Sequence, residues 1–523
     1  MLKIHQIKCP LSKNIDAEMI AKKLNCRTED ILKWSIERES LDARRSSCVY
    51  SYTVKAEVKD EKKYLRMHDV AEAEDDTWKM PDTAGVKKFR PVIAGFGPAG
   101  MFAALVLAEA GMCPIVIERG APVAERQNDV KRFLQEGILN PESNVQYGEG
   151  GAGTFSDGKL TTRIKDTRIQ KVLQEFIEAG APEAISWQAH PHLGTDQLSL
   201  LVEKIRKKIE SLGGEVRFHT RLEELQLRDH AICGAVTDKG IIATDTLILC
   251  IGHSAYDTCK HIMQQGIEMQ QKEFAVGVRV EHPQEMIDRN QYKNFFGNPR
   301  LPASEYHLAC KTANGRGVYS FCMCPGGIVI PSASEPSIIA VNGMSYSQRS
   351  GKSANSAILV QVKTSDFDHS SPLDGFVFQH NLERQAYAVS DSYSAPAQNI
   401  KDYLHSKIST ELVLGSSYAH KTVFYDFHKT FFEQWHSSFT EGLRKFDAEI
   451  PGFIERGIME GMETRSSSPV RILRQDNGIS ISAEGLFPCG EGAGYSGGIV
   501  SSAVDGIRQA ENAIYAHKVK SDR

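Results

Sequence analysis

The stretch Arg90-Pro-Val-Ile-Ala-Gly-Phe-Gly-Pro-Ala-Gly100, followed by Cys113-Pro-Ile-Val-Ile-Glu118, reads as strand, glycine turn, helix, strand and acid. Gly95, Gly97 and Gly100 match the G-x-G-x-x-G spacing of a dinucleotide site, with Pro98 and Ala99 opening the helix between them. Gly95 permits the tight turn, Gly97 lets the backbone approach a pyrophosphate, and Gly100 lets the helix pack close to the sheet. The helix N-terminus then offers unpaired N–H groups and a positive dipole end to the phosphates. Glu118 stands 18 residues after Gly100, where a carboxylate can accept from ribose hydroxyls. A lone glycine fingerprint is a weak signal; the full strand–turn–helix–strand–acid context makes this one a nucleotide site.

Working outward, residues 1–85 read as a small α+β module closed by an acidic, then Pro- and Gly-containing linker. Residues 86–260 read as the first part of a nucleotide domain, with buried strands around Val92 and Thr246 to Ile251 and a helix from Leu198 to Leu212. Shorter strands and many turns over 261–465 suggest a second lobe. From Ile479, within 466–523, the nucleotide pattern returns as strand, glycine cluster and long helix.

Two further glycine clusters matter. Tyr147 to Lys159 (YGEGGAGTFSDGK) carries five glycines among hydroxyls, with Gly151, Gly153 and Thr154 in its middle. Such a backbone is rich in exposed N–H groups and wraps phosphate or a polar ring edge; its ordinary alternative is an unspecialised surface loop. The third runs from Gly485 through Cys489-Gly-Glu-Gly492 to Gly498, ahead of a helix whose Val500, Val504, Ile507 and Ile514 share one face. Glu491 is placed there to accept a hydroxyl of a sugar-like chain; otherwise it is a solvated residue in a strand–helix turn.

Taken in order, Gly95-x-Gly97-x-x-Gly100 with Glu118, Ile248 to Gly252, and Cys489-Gly-Glu-Gly492 resemble the two-piece FAD-dependent oxidoreductases. The runs Asn144 to Lys159, Gly343-Met-Ser-Tyr346 and Glu463-Thr-Arg-Ser466 resemble a bacterial family of FAD-dependent dehydrogenases. The resemblance implies an α/β fold: a two-piece Rossmann-like FAD-binding domain, an inserted α+β substrate lobe and the small N-terminal module. It implies that Gly95, Gly97 and Gly100 hold the FAD pyrophosphate, and that Glu118 holds the adenosine ribose. Arg119 and Arg126 would neutralise phosphate or line the adenosine, and Val216 would offer backbone groups to adenine. Gly252 would close a strand under the nucleotide, Gly490 and Glu491 would meet the ribityl chain, and Gly498 and Ile499 would aim N–H groups at the pyrimidine edge of the flavin. The substrate is expected to be a small molecule, with NADH or NADPH as a possible electron donor. No second strand-led fingerprint for a nicotinamide occurs between residues 250 and 370.

Catalytic candidates are few, because a flavin carries the hydride chemistry itself. Cys322 and Cys324 would share one face of a strand, as a redox pair or as two buried small residues. No cysteine occurs between Cys113 and Cys233, which speaks against a disulfide reductase of the glutathione reductase kind. Arg349 is a candidate to hold a substrate carboxylate and His253 to approach the flavin edge. Arg279, Glu281, Asn355 and Arg465 are further polar candidates; for these, as for Arg349, a surface salt bridge or a loop contact is the ordinary reading. No metal-binding spacing and no hydrolase nucleophile motif occur.

The chain has 523 residues, 41% of them hydrophobic and 24% charged, with a net charge of −4. That is ample for several packed domains and carries no overall basic footprint for nucleic acid. No apolar run reaches the length of a membrane span, and no signal pattern opens the chain. The eleven cysteines are scattered, as suits a reducing cytoplasm. The basic pairs Arg44-Arg45 and Lys62-Lys63 give slight support to an RNA-modifying alternative, although both have acidic neighbours. A flavin-binding sensor or scaffold is the non-enzyme alternative.

Overall fold

Strand and helix periods divide the chain into successive stretches in this computed structural model, which describes all residues except 44–46, 75–76, 430–434 and 522–523. The N-terminal stretch holds β1 (Leu2–Pro10), α1 (Ala17–Leu24), β2 (Ile31–Asp42), β3 (Val49–Val58), α2 (Glu61–Tyr64) and β4 (Val70–Glu72). Its four strands form one sheet in the order β2-β3-β1-β4. Asp16 caps α1 by accepting the Met19 N–H at 2.9 Å, and Asn25 ends it in the left-handed region. Ile20, Ala21 and Leu24 of α1 are buried, so the helix covers one face of this sheet. The expected pair Arg44-Arg45 lies outside the described residues.

The next stretch holds β5 (Val92–Ala94), α3 (Pro98–Glu109), β6 (Ile115–Ile117), α4 (Val123–Glu136), α5 (Arg168–Glu178), α6 (Gly194–Ser211), β7 (Glu215–Arg217), β8 (Leu222–Arg228), β9 (Ala231–Thr237), β10 (Gly240–Ala243), β11 (Leu247–Leu249) and α7 (Tyr256–Gln264). Then come β12 (Met269–Gln271), β13 (Phe274–Pro283), α8 (Gln284–Tyr292), β14 (Ala309–Lys311), β15 (Gly317–Cys324), β16 (Ile328–Pro331), β17 (Val341–Met344), β18 (Ser353–Val362), α9 (Asp374–Ala388), β19 (Ala395–Asn399), α10 (Ile400–Leu404), β20 (Thr422–Phe424), α11 (His436–Glu449) and β21 (Ile458–Glu463). The chain closes with β22 (Val470–Ile472), β23 (Leu486–Pro488) and α12 (Ile499–Ser521).

Two sheets place the site. A parallel sheet runs β23-β11-β5-β6-β7, so the last strand of the chain sits beside β11, far from it in sequence. The strand expected from Ile479 begins later, at Leu486. The positive φ of Gly485 (+77°) carries the chain past the Asp245 carbonyl, where a Cβ would stand 2.2 Å from the oxygen. Helix α3 is apolar all round, and every residue from Ala99 to Ala108 is buried, as expected of a helix enclosed on all sides. Helix α12 crosses it closely: a Cβ at Gly506 would lie 2.1 Å from the Ala99 carbonyl oxygen. The second sheet runs β14-β15-β18-β13-β21-β19-β20 and is antiparallel apart from the β19–β20 pair. Nine of the ten residues of β13 are buried, because both faces of the sheet are covered. Among the described residues no helix is long and apolar enough to cross a membrane.

The N-terminal module docks by backbone pairing. The Glu39 N–H donates to the Trp187 carbonyl at 2.7 Å, and the Ala189 N–H donates to the Glu39 carbonyl at 2.8 Å. Arg300 reaches back to the Leu11 carbonyl at 2.9 Å and to Asn14 Oδ1 at 2.8 Å.

Candidate functional site

The three glycine clusters meet at the C-terminal ends of β5, β11 and β23. Gly95 has φ +101°, and a Cβ there would lie 2.3 Å from the Cys250 carbonyl oxygen. A Cβ at Gly100 would lie 1.9 Å from the Gly95 oxygen, so α3 starts directly under the turn. Gly97 and Gly151 face each other: a Cβ on Gly151 (φ +64°) would stand 2.9 Å from the Gly97 Cα. A Cβ on Gly153 would come to 3.0 Å from Ile499 Cγ1, one on Gly490 to 2.8 Å from the Ala99 Cβ, and one on Gly492 to 2.4 Å from the Gly252 oxygen. The result is a cradle of bare backbone between the N-terminal ends of α3 and α12. A dinucleotide pyrophosphate needs such close backbone approach and such helix ends, so the residues fit FAD.

Glu118 ends β6 and is buried. Its carboxylate accepts the N–H groups of Phe96 (2.8 Å), Gly120 (2.9 Å) and Gly148 (2.9 Å), which ties the first glycine turn to the second. A carboxylate has roughly four acceptor positions, so one remains for a ribose hydroxyl. Val216 is the middle residue of the edge strand β7, paired with Val116. Thr154 is buried, and its carbonyl accepts the Thr195 hydroxyl at 2.6 Å.

The two arginines expected to serve the nucleotide are engaged elsewhere. Arg119 pairs with Glu142 (2.9 Å) and Asp257 (3.0 Å) and stacks over Tyr147 at 4.1 Å. Arg126 is fully buried and donates to the carbonyls of Asn144 (2.9 Å), Glu149 (2.7 Å) and Val145 (3.0 Å). Its stem runs beneath Gly148, where a Cβ would stand 2.4 Å from Arg126 Cδ. Burial pulls its guanidinium down to about 10, against the opposing charges of Glu118 and Glu149. Arg126 therefore shapes the loop from Asn144 to Glu149 and has no free fork for a phosphate.

The far wall is made by Glu491, His253 and the start of α12. His253 Nδ1 lies 3.6 Å from Glu491 Oε1, and the buried His253 Nε2 has no hydrogen-bond partner among the described residues. Burial, reinforced by the Arg465 charge, pulls His253 down to about 3, so its imidazole is neutral at physiological pH. Although 23% of the Glu491 side chain stays open, the surrounding protein strips it of bulk water and pushes its carboxyl up to about 7. The Gly498 N–H and the Lys272 charge oppose that shift. A carboxyl raised in the folded state contributes stability below its unfolded value near 4.5 and loses it as pH rises through about 7. In cofactor-free protein, the stability of Glu491→Gln relative to wild type is therefore expected to grow between acidic and mildly alkaline pH. Thermal midpoints of both proteins across that range check it; a constant difference would remove the shifted carboxyl from the account.

The polar residues of the sheet lobe are buried in networks, against the expectation of surface pairs. Arg465 pairs with Glu383 at 2.8 Å and donates to Ser334 Oγ at 2.5 Å. Tyr147 donates its hydroxyl to the Ser254 carbonyl at 2.6 Å, so the second glycine cluster and the segment after β11 meet there. Arg349 donates to Asp157 Oδ1 at 3.0 Å and to Glu305 Oε1 at 3.0 Å, so its fork is already taken by two carboxylates and not open to a substrate. Although burial works the other way, Lys159 and Arg349 hold Asp157 down to about 2.

Cys322 and Cys324 do not share a face. Strand β15 is bulged between Phe321 and Cys324, and Cys322 has φ +42°; Cys322 is exposed while Cys324 is buried. Arg279 is fully buried beside Cys324, at 3.3 Å from its Sγ, and also bonds Asn355 (2.9 Å) and Glu463 (3.2 Å). Glu281 and Glu460 are both buried, and burial pushes both carboxyls up; the Glu281 charge pushes Glu460 further up, while hydrogen bonds from Ser417 and Glu460 pull Glu281 back down. Alternating charge marked the Arg279 strand in the sequence, but nothing marked Glu460, which reaches the pair only through β21.

A family model described as "FAD-dependent protein, C-terminal domain-like" matches residues 273–466. A model of a domain of unknown function matches residues 1–57. An uncharacterized protein from Clostridium beijerinckii is 44% identical over 510 residues, covering 96% of each chain. Among solved structures, glycine oxidase from Bacillus cereus is 10% identical with a TM-score of 0.33, over 82% of this chain and 98% of the other. The FAD complex of glycerol-3-phosphate dehydrogenase from Bacillus halodurans is 9% identical with a TM-score of 0.36, over 83% of this chain and 65% of the other. Both are loose likenesses of shape.

Proposed function

Since this chain belongs to one family with the Clostridium beijerinckii protein, and its residues 273–466 match the model of FAD-dependent proteins, we propose that it is an FAD-dependent oxidoreductase acting on a small-molecule substrate. The observation that supports this reading is the meeting of three separated glycine clusters at one cradle, with Gly97 against Gly151 and Gly153 against Ile499. When bound, FAD supplies hydride chemistry through its N5 position. Gly95, Gly97, Gly100, Gly151 and Gly153 would hold the pyrophosphate, and the first turns of α3 and α12 would favour negative charge on the cofactor. Glu118, with one acceptor position left, would take a ribose hydroxyl. Glu491 holds or releases a proton near neutral pH beside the cradle, while neutral His253 offers an unpaired nitrogen to whatever fills it. Arg465 and Tyr147 are fixed in place by Glu383 and Ser254. With no second nicotinamide fingerprint, NADH or NADPH as donor would have to reach the open side of the flavin. A reducing cytoplasm suits the eleven free cysteines.

The absorbance spectrum of the purified protein, followed by anaerobic mixing with NADH and with NADPH in a stopped-flow instrument, tests this. Bound flavin that one donor bleaches at a catalytically useful rate is the expected result. Bound flavin that neither donor reduces would leave the sensor reading in place, and a protein that takes up no FAD would sink both.

A further inference from the structure

Two histidines and a glutamate from separated parts of the chain meet beside the second glycine cluster. Ring nitrogens of His190 and His307 and a carboxylate oxygen of Glu305 all lie within 4.8 Å of one another. The ring centroids are 6.2 Å apart, both histidines are exposed, and Glu305 is half-buried. Glu305 is held from behind: Oε1 accepts from Arg349 at 3.0 Å and Oε2 from Lys159 at 2.7 Å. Both cations also contact Asp157, so two positive charges are matched by two carboxylates.

We propose that His190, His307 and Glu305 form a binding site for a divalent transition metal ion of the zinc, nickel or copper type. Imidazole nitrogens suit these ions, whereas magnesium and calcium take sets of oxygens. The balanced charge around Glu305 leaves no excess acid to attract a hard cation, which makes the two imidazoles the leading ligands. Glu305 retains a lone pair on each oxygen beyond those that Lys159 and Arg349 use, and those two partners orient it as outer contacts orient a metal-binding carboxylate. Ligands about 2.1 Å from a tetrahedral ion stand roughly 3.4 Å apart. The set must therefore close by up to about 1.4 Å, which two exposed rings achieve by turning about their side-chain bonds. Water completes the coordination.

The position gives such an ion a structural consequence. His190 directly follows Ala189, whose N–H pairs with Glu39 of β2, and His307 leads into β14 of the large sheet. A metal there ties the docking segment of the N-terminal module to the sheet lobe. Binding to the folded state alone then raises the unfolding midpoint in step with metal concentration. No spacing motif reveals the site, because His190 and Glu305 are more than a hundred residues apart in the chain.

Calorimetric titration of chelator-stripped, flavin-saturated protein with zinc chloride at neutral pH tests the proposal, with cobalt absorbance as a second readout. The expected result is about one equivalent bound, with affinity falling at least about tenfold in His190→Ala and in His307→Ala, and no uptake of magnesium chloride. His190→Gln, with unchanged flavin content, guards against a folding defect. Absence of stoichiometric zinc binding to the wild type, or binding indifferent to both histidines, would overturn the site.

Discussion

Gly151→Val is expected to give a folded protein carrying less than about a tenth of the wild-type flavin, a loss of more than roughly 1.4 kcal/mol in binding. Two effects act together. At φ +64° a β-branched residue is held in a conformation that costs about 1–3 kcal/mol. Its Cβ would also stand 2.9 Å from the Gly97 Cα, on the surface where the pyrophosphate is expected to approach. Gly415→Val is the control, because Gly415 is exposed and a Cβ there meets nothing within 4 Å. Flavin content from absorbance, with circular dichroism to confirm folding, checks the pair. Unchanged occupancy in Gly151→Val would mean that the cofactor does not lie along this cradle.

The second large effect is on stability. Arg126→Met should lower the unfolding free energy by about 3–5 kcal/mol, near the cost of breaking a buried charged pair. Methionine fills much of the volume but leaves the carbonyls of Asn144, Val145 and Glu149 without donors in a buried place. It also removes the positive charge that faces buried Glu118 and Glu149. Arg126→Lys should fall between, since one ammonium head cannot reproduce a planar fork to three acceptors. Urea unfolding of the three proteins measures the order. A methionine variant as stable as wild type would refute the staple. Flavin should be lost along with stability, because the loop that Arg126 holds carries Gly148 and leads into Gly151.

How much of this was legible in the sequence depends on whether the signal was local. The glycine turns, the apolar helix from Pro98 and the face of Val500, Val504, Ile507 and Ile514 were legible because backbone conformation and helical period act over a few residues. Glu118 was placed at its strand end by the same logic, but its three backbone donors come from residues as distant as Gly148. Arg126 was misread for that reason: a cation near a nucleotide motif looks like a phosphate ligand until the loop carbonyls around it are seen. The cysteine pair failed on a bulge, since one inserted residue and one positive φ reverse the face that alternation assigns.

The chain order of its glycines and apolar periods by itself determined a dinucleotide fold, because a turn with positive φ and an enclosed helix tolerate few residue types. Tertiary structure alone decided which charges are free. Arg119, Arg126, Arg349 and Arg465 all look available in the sequence, and each is engaged by carboxylates or carbonyls, most of them distant in the chain. Burying an unpaired charge costs more than the fold can bear, so the folded chain supplied partners from whichever segment packing brought near. The same packing left His253, Glu491, His190 and His307 with nitrogen or oxygen still to offer, and those positions are where the chemistry of this protein is open to test.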